Sequence, residues 1–230
     1  MKEILVLLLL SVTSSFALII GNVIKVDGVV KVSKQDSLKK HKVKKGYKIE
    51  SSDMISTYKG SHLVAVMEDN STIIFDEESI ISFVSSHELE QNRGRVYYKI
   101  TPKKLDKRFS VKTDFAIIGI KGTTFIVDAS KNKEVLLKEG LIGVSSIKEL
   151  FEVYKKETND AFENYKKQQE EGFKAYKKSF DGYKKVMEAE VFDLQQMNKI
   201  SFEGNRVFED PFEEDDTKKF QYFEQLSDSL

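Results

Sequence analysis

Cysteine is absent from the 230-residue chain. That excludes disulfides, thiolate metal sites, a cysteine nucleophile and the lipid-modified N-terminal cysteine of a bacterial lipoprotein. An overall charge bias is missing too. The 37 basic residues face 37 acidic ones, so nothing in the total favours nucleic acid as a partner. Only two prolines occur, Pro102 and Pro211. Pro102 lies between strand candidates, where a missing N–H does least harm.

Catalytic frames are equally scarce. No Gly-x-Ser-x-Gly elbow surrounds any serine. His41, His62 and His87 share no ligand spacing, so no metal site is expected. The neighbouring carboxylates Glu77 and Glu78 sit in a polar stretch that reads as a solvated loop. With no convergent polar constellation, neither an enzyme nor a cofactor is expected.

What the chain does have is enough apolar content, 40%, to build a packed core. Its first residues, "MKEILVLLLLSVTSSFALII", place Lys2 before an apolar core and end in the small-x-small site Ser15-Phe16-Ala17. This is the layout of an export signal, with cleavage expected after Ala17 and delivery out of the cytoplasm. The alternative is an uncleaved inner-membrane anchor, the one case in which a membrane contact is expected. Ile4 to Ile20 spans 17 residues, short of the roughly 20 that a spanning helix needs.

The neutral total hides a gradient. Residues 18–146 carry 22 Lys+Arg against 16 Asp+Glu, residues 147–200 carry 11 against 11, and residues 201–230 carry 3 against 9. This asymmetry suggests three segments and an acidic tail that folds back on a basic domain.

Residues 18–146 read as strand after strand. "NVIKVDGVVKV" alternates around Asp27-Gly28, a dipeptide suited to a hairpin turn. "HLVAVMEDNSTIIF", "SIISFV", "RVYYKI", "RFSVKT", "TFIVDA", "EVLLKE" and "LIGVSS" follow. The expectation is a mainly β, jelly-roll-like β-sandwich or roll, followed by a long C-terminal amphipathic α-helix. That helix is expected over residues 147–200, where "FEVYKK", "FENYKK", "FKAYKK" and "FDGYKK" recur at steps of 11, 11 and 7 residues. Phe and Tyr three apart share a helix face, and both steps return to about that face. The stripe continues through Met187, Val191, Leu194 and Met197. The last 30 residues read as a partly ordered acidic tail with a short helix from Asp216 to Leu226.

"IIGIKGTTFIV", residues 117–127, resembles a phosphate-cradling loop at first sight. A Walker loop needs four residues between its glycines and a lysine after the second. Here only Ile120 and Lys121 intervene, and Thr123 follows. Gly119 and Gly122 therefore read as the site of a bend or bulge between packed strands.

Several of these residues fall into one pattern. Gly21, Val23, Gly28, Val30 and Val32 open it. "VKKGYKIESSDMISTYKGS" continues it with Gly46, Asp53, Ile55 and Thr57, and Asp69-Asn70-Ser71 supplies a strand turn. It closes on Phe109, Val111, Thr113, Ala116, Gly119, Gly122, Thr123, Phe125 and Val127, then Glu139-Gly140 and Val144. Residues 21–144 thereby resemble the FecR domain family of bacterial periplasmic proteins. The resemblance implies an all-β sandwich without catalytic machinery, working in envelope signalling. Its Gly46, Asp53, Thr57, Gly119, Gly122, Thr123, Phe125 and Gly140 are expected to be structural. Familiar members hold a sigma factor through a cytoplasmic arm. Only Met1–Glu3 precede the export signal here, which points instead to a soluble periplasmic binding or adaptor role.

Two partner surfaces are expected. The aromatic array Phe151, Tyr154, Phe162, Tyr165, Phe173, Tyr176, Phe180 and Tyr183 is too large to leave in water on one helix face. It suits self-association or another envelope protein. The lysines of "KKHKVKK", Lys39, Lys40, Lys42, Lys44 and Lys45, read either as a solvated hairpin loop or as an anionic-ligand site. The second reading supports the alternative function, an oligomeric envelope scaffold holding glycan or peptidoglycan.

Overall fold

The structure, a computed structural model, describes residues 18–34, 37, 39–102, 109–156 and 182–228. Among these, twenty strands and one helix appear. The first ten strands are β1 (Ile19–Asp27), β2 (Val30–Lys34), β3 (His41–Lys42), β4 (Lys48–Glu50), β5 (Asp53–Thr57), β6 (His62–Met67), β7 (Thr72–Phe75), β8 (Ile80–Phe83), β9 (Glu88–Arg93) and β10 (Arg95–Lys99). The remainder are β11 (Phe109–Lys112), β12 (Ile117–Ile120), β13 (Thr124–Asp128), β14 (Glu134–Glu139), β15 (Leu141–Ser145), β16 (Phe151–Lys156), β17 (Tyr183–Ala189), β18 (Val191–Gln195), β19 (Asn198–Glu203) and β20 (Arg206–Pro211). Helix α1 covers Glu214–Asp228.

The strands form two sheets. The larger runs β17-β16-β20-β19-β14-β13-β10-β7-β6-β1-β4, and the smaller runs β18-β15-β12-β11-β9-β8-β5-β2-β3. Neighbours are antiparallel except β9 with β11 and β16 with β20. The sheets face each other across one apolar cluster. Leu63, Phe75, Tyr98, Phe125 and Leu137 of the larger sheet meet Ile55, Phe83, Val111, Ile118 and Val144 of the smaller.

Strand composition follows from which faces are covered. In β15 and β18 buried and exposed residues alternate, with Ile142, Val144, Phe192 and Leu194 turned inward. Central strands of the larger sheet do not alternate. Their continuous runs, such as "TIIF" and "TFIV", reflect burial on both sides. Val64, Ile74, Tyr97, Ile126 and Leu136 point away from the sandwich and pack under Phe220 and Phe223 of α1. The architecture is therefore three layers deep: small sheet, large sheet, helix.

The expected helix over 147–200 is corrected wherever the structure describes it, because 151–156 and 183–200 are strands. Two periods competed here, and the period of two won. Phe151 and Val153 are buried together on the sandwich side. Met187, Val191 and Met197 of the supposed helical stripe are about half exposed, whereas Phe192 and Leu194 are buried. The boundary near residue 147 dissolves for the same reason. Leu141–Ser145 pairs with Val191–Gln195, and Glu134–Leu137 pairs with Asn198–Ser201, so the C-terminal strands extend both sheets.

Helix α1 contains the stretch expected to be helical in the acidic tail. Its N-terminus is set by a reciprocal cap, in which the Glu213 N–H donates to the Asp216 carboxylate at 3.0 Å and the Asp216 N–H to the Glu213 carbonyl at 3.1 Å. Glu214, Asp215 and Asp216 place negative charge against the positive end of the helix. The acidic element lies on basic partners, with Lys138 2.5 Å from Glu224 and Lys199 2.8 Å from Asp216.

Candidate functional site

A cleft of about 280 Å³ opens where the C-terminal strands join the sheets. Its floor is apolar. Phe115 and Phe202 lie with ring centroids 4.6 Å apart, and Phe151 is 5.7 Å from Phe202. All three rings are largely buried, so the cavity meets their edges and the surrounding backbone. The rim is polar and of mixed sign, with Asp114, Lys133, Lys148 and Glu149.

Local turns position these residues. Thr113 Oγ1 accepts from the N–H groups of Phe115 and Ala116 at 3.2 and 3.0 Å, which fixes the β11–β12 turn and aims Phe115 inward. Lys133, in the β13–β14 loop, sits 2.7 Å from Asp114 and 5.9 Å above the Phe115 ring. The Phe202 N–H donates to the Lys133 carbonyl at 3.1 Å, and the Glu152 N–H to the Asn205 carbonyl at 2.9 Å. Backbone bonds thus hold the walls, which leaves Ile147, Lys148 and Glu149 exposed along one lip. A cleft of this size takes one or two side chains of a partner, with the rim able to read their charged neighbours.

No local motif foretold this site. Its residues come from the β11–β12 turn, the β13–β14 loop, the β15–β16 link, the start of β16, β19 and the β19–β20 turn. Only register brings them together.

The expected aromatic array is divided. Phe151 and Tyr154 are buried in β16, with Tyr154 stacked on Phe208 at 5.3 Å. Tyr183 donates to Asp210 at 2.6–2.7 Å. Burial, then that carboxylate, raises its hydroxyl pKa. These three are packing residues rather than an exposed stripe, because Phe and Tyr three apart fall on opposite faces of a strand. Phe162, Tyr165, Phe173, Tyr176 and Phe180 lie outside the described residues.

The motif residues form turns and their supports. Gly46 adopts φ +89° and donates its N–H to Val23 at 2.7 Å. The buried Asp53 carboxylate accepts from the Tyr47 hydroxyl and the Glu50 N–H, both at 2.9 Å, and pairs with Lys34 at 2.7 Å. Thr57 donates to the Asp76 carbonyl at 2.6 Å and accepts from the Ser79 N–H at 2.9 Å. Gly122 sits at φ +63° with its α-carbon against Pro102. Gly119 faces Gly143 across β12 and β15. Thr123 is buried, and its Cγ2 methyl and the Gly122 carbonyl leave no room for a Cβ at Gly140. Phe125 stacks on Tyr98 at 4.8 Å. The stretch 117–127 holds strands.

A second buried carboxylate, Asp76, fastens α1. It meets Arg95 at 2.5 Å, His62 at 3.2 Å and the Tyr222 hydroxyl at 3.2 Å. Burial first, then the Asp76 charge, pushes the Tyr222 pKa up to about 12. The histidines stay apart: His41 is exposed on β3, His62 joins this cluster, and His87 bonds Ser85 and Ser86. Among the described residues no group of three His, Asp or Glu side chains could hold a metal, and no helix is long and apolar enough to cross a membrane.

The lysines behave differently from the aromatics. Lys39, Lys40, Lys42, Lys44 and Lys45 are all exposed, as is Lys48. They occupy the β3–β4 region at one end of both sheets.

Residues 53–143 match the family model described as FecR protein. That stretch supplies β5–β14 and most of β15, a continuous block at the centre of each sheet. Strands β1–β4 extend it on one side and β16–β20 on the other. Two crystal structures of a candidate anti-sigma factor from Parabacteroides distasonis ATCC 8503, at 1.65 and 2.50 Å, are similar at 14% identity, with TM-scores of 0.48 and 0.45. The matches cover 73% and 69% of this chain but 64% and 59% of those, so the chain spans about three fifths of their length. No curated protein matches.

Proposed function

We propose that the protein is an exported, non-catalytic FecR-domain module that acts in the periplasm as a binding or adaptor component of envelope signalling. The FecR match gives the class of protein. The observation that carries the binding role is the seam cleft: an apolar floor with a mixed-charge rim, where Asp114, Phe115 and Lys133 of the FecR-matched stretch meet seven residues that follow it in the chain. Buried carboxylates elsewhere support a recognition role rather than turnover, because Asp53, Asp76 and Asp216 are each held by cations and N–H or O–H donors of the fold itself. A partner that inserts an apolar side chain between Ile147 and Phe202 would be read by Lys133 and Lys148 on one hand and by Asp114 and Glu149 on the other.

A photo-crosslinking residue at Glu149, irradiated in living cells, tests this. The expected product is a single heterologous conjugate that is missing when the crosslinker sits at exposed Lys99 and missing again in an Ile147→Asp background. Persistence in that background would remove the cleft from the mechanism. A product containing only this chain would favour the oligomeric scaffold.

A further inference from the structure

Among the described residues the β3–β4 lysines meet no acidic partner. Lys39, Lys40, Lys42, Lys44, Lys45 and Lys48 are six exposed cations within ten residues. None of them forms an ion pair among the described residues. Nearby Lys34, by contrast, is engaged by Glu50 at 2.6 Å and Asp53 at 2.7 Å. Lys42 also stands directly opposite Lys31 in the β2–β3 register. Like charges facing each other across strands destabilise a sheet. The chain as a whole is neutral, so this concentration is local and is not a by-product of net charge.

Position gives the patch its direction. β3 ends the smaller sheet and β4 ends the larger, so the lysines cap one edge of the sandwich. The chain comes into the fold at that same edge. Ile19 pairs with Glu50 and Asn22 with Lys48, and the Ser51 N–H donates to the Leu18 carbonyl at 3.0 Å. Leu18 is 61% exposed and Ile19 43%. Four residues of strand separate Leu18 from Asn22, about 13 Å. Exposed Leu18 and Ile19 form a short apolar lead-in, and a lysine array within that distance of it fits a surface that is hydrocarbon inside and anionic outside.

We infer that the β3–β4 lysine edge docks on the phosphate headgroups of an anionic phospholipid bilayer, and so turns the seam cleft at the opposite end of the sheets away from the membrane. Lysines suit this contact because a compact ammonium meets a mobile headgroup as a point charge, with no fixed bidentate geometry to satisfy. Each is worth about a fivefold gain in partition at an anionic surface. The gain fades when salt shortens the screening length from roughly 10 Å to 3 Å.

The test is co-flotation of the full chain with vesicles of phosphatidylglycerol and phosphatidylcholine or of phosphatidylcholine alone, at low and high salt. The apolar lead-in contributes equally to every sample, so the reading is the ratio between the two lipids. The expected ratio is large at low salt and near one at 1 M. Combining Lys40→Gln, Lys42→Gln and Lys44→Gln should lower it on the order of a hundredfold. The same neutralisation at Lys99, Lys121 and Lys131 should leave it within a few-fold. Thermal melting guards against misfolding, since Lys42→Gln relieves the Lys31 repulsion and should hold or raise the melting temperature. A ratio near one for the native chain overturns the inference, as does an equal loss in the two triple variants. Salt-sensitive sedimentation with peptidoglycan sacculi in place of vesicle binding also overturns it, and would assign the lysines to the wall polymer.

Discussion

Removing the Phe223 ring should loosen α1 without dismantling the sandwich beneath it. Phe223 is fully buried, stacks on Tyr97 at 5.7 Å and lies under the Arg95 guanidinium at 5.7 Å. Truncating a buried phenylalanine to alanine removes about 3–5 kcal/mol. A 15-residue helix is marginal by itself in water, so α1 owes its presence to this contact, to Phe220 and to the partly buried Phe212 and Leu226. The ion pairs Lys138–Glu224 and Lys219–Glu134 are part-exposed and each adds at most about 1 kcal/mol. Losing some 3 kcal/mol from so few anchors should accelerate amide exchange in α1 by about a hundredfold or more. Strands β2, β5 and β8 in the far sheet should keep their protection. The uncovered face, with Tyr97, Ile126 and Leu136, should then bind a hydrophobic dye. Exchange in α1 that changed by less than about fivefold would refute the view that packing on the large sheet holds the helix.

Two other substitutions probe the polar and backbone supports. Asp76→Asn leaves Arg95 without its carboxylate and should destabilise by about 2–3 kcal/mol in chemical denaturation, below the full penalty for a buried pair because Arg95 is 35% exposed. The same change should bring Tyr222 back from about 12 towards its ordinary value in a phenolate titration. The sign of the pH effect follows from that raised value: the native stabilisation from Tyr222 is complete below its unfolded pKa near 10, and is lost as pH rises through about 12. Gly122→Ala and Gly46→Ala separate strain from collision. Both positions have positive φ, but an added Cβ at Gly122 would lie 2.7 Å from Pro102, whereas at Gly46 nothing lies within 4 Å. Melting should show about 2–3 kcal/mol lost at Gly122 and about 1 kcal/mol at Gly46; equal losses would contradict the packing account.

The β-domain was legible because its strands carry their burial in their spelling. Alternation marked strands such as "NVIKVDGVVKV", whereas the burial of Thr72–Phe75 and Thr124–Val127 on two faces emerges only with α1 in place. The acidic return of the tail was legible as charge, and Lys138 and Lys199 receive it. Residues 151–156 and the strands from 183 to 200 were misread as helix because Phe-x-x-Tyr satisfies a helix face locally, while the information that decides for strands is remote. The edges of β14 and β15 have unpaired backbone groups until 191–201 arrives. The cleft was illegible for the same reason, since Asp114, Lys133, Ile147 and Asn205 meet only after those strands have paired. The stretch that matches the FecR model and the strands that flank it therefore separate in space. The FecR stretch fills the middle of both sheets, and its motif glycines and carboxylates are consumed in turns and strand supports. The features left with unused chemistry, the lysine edge and the seam cleft, depend on the strands added at either side. A recognition specificity could change there by altering β3–β4 or the β15–β16 link without touching one residue that the central strands need.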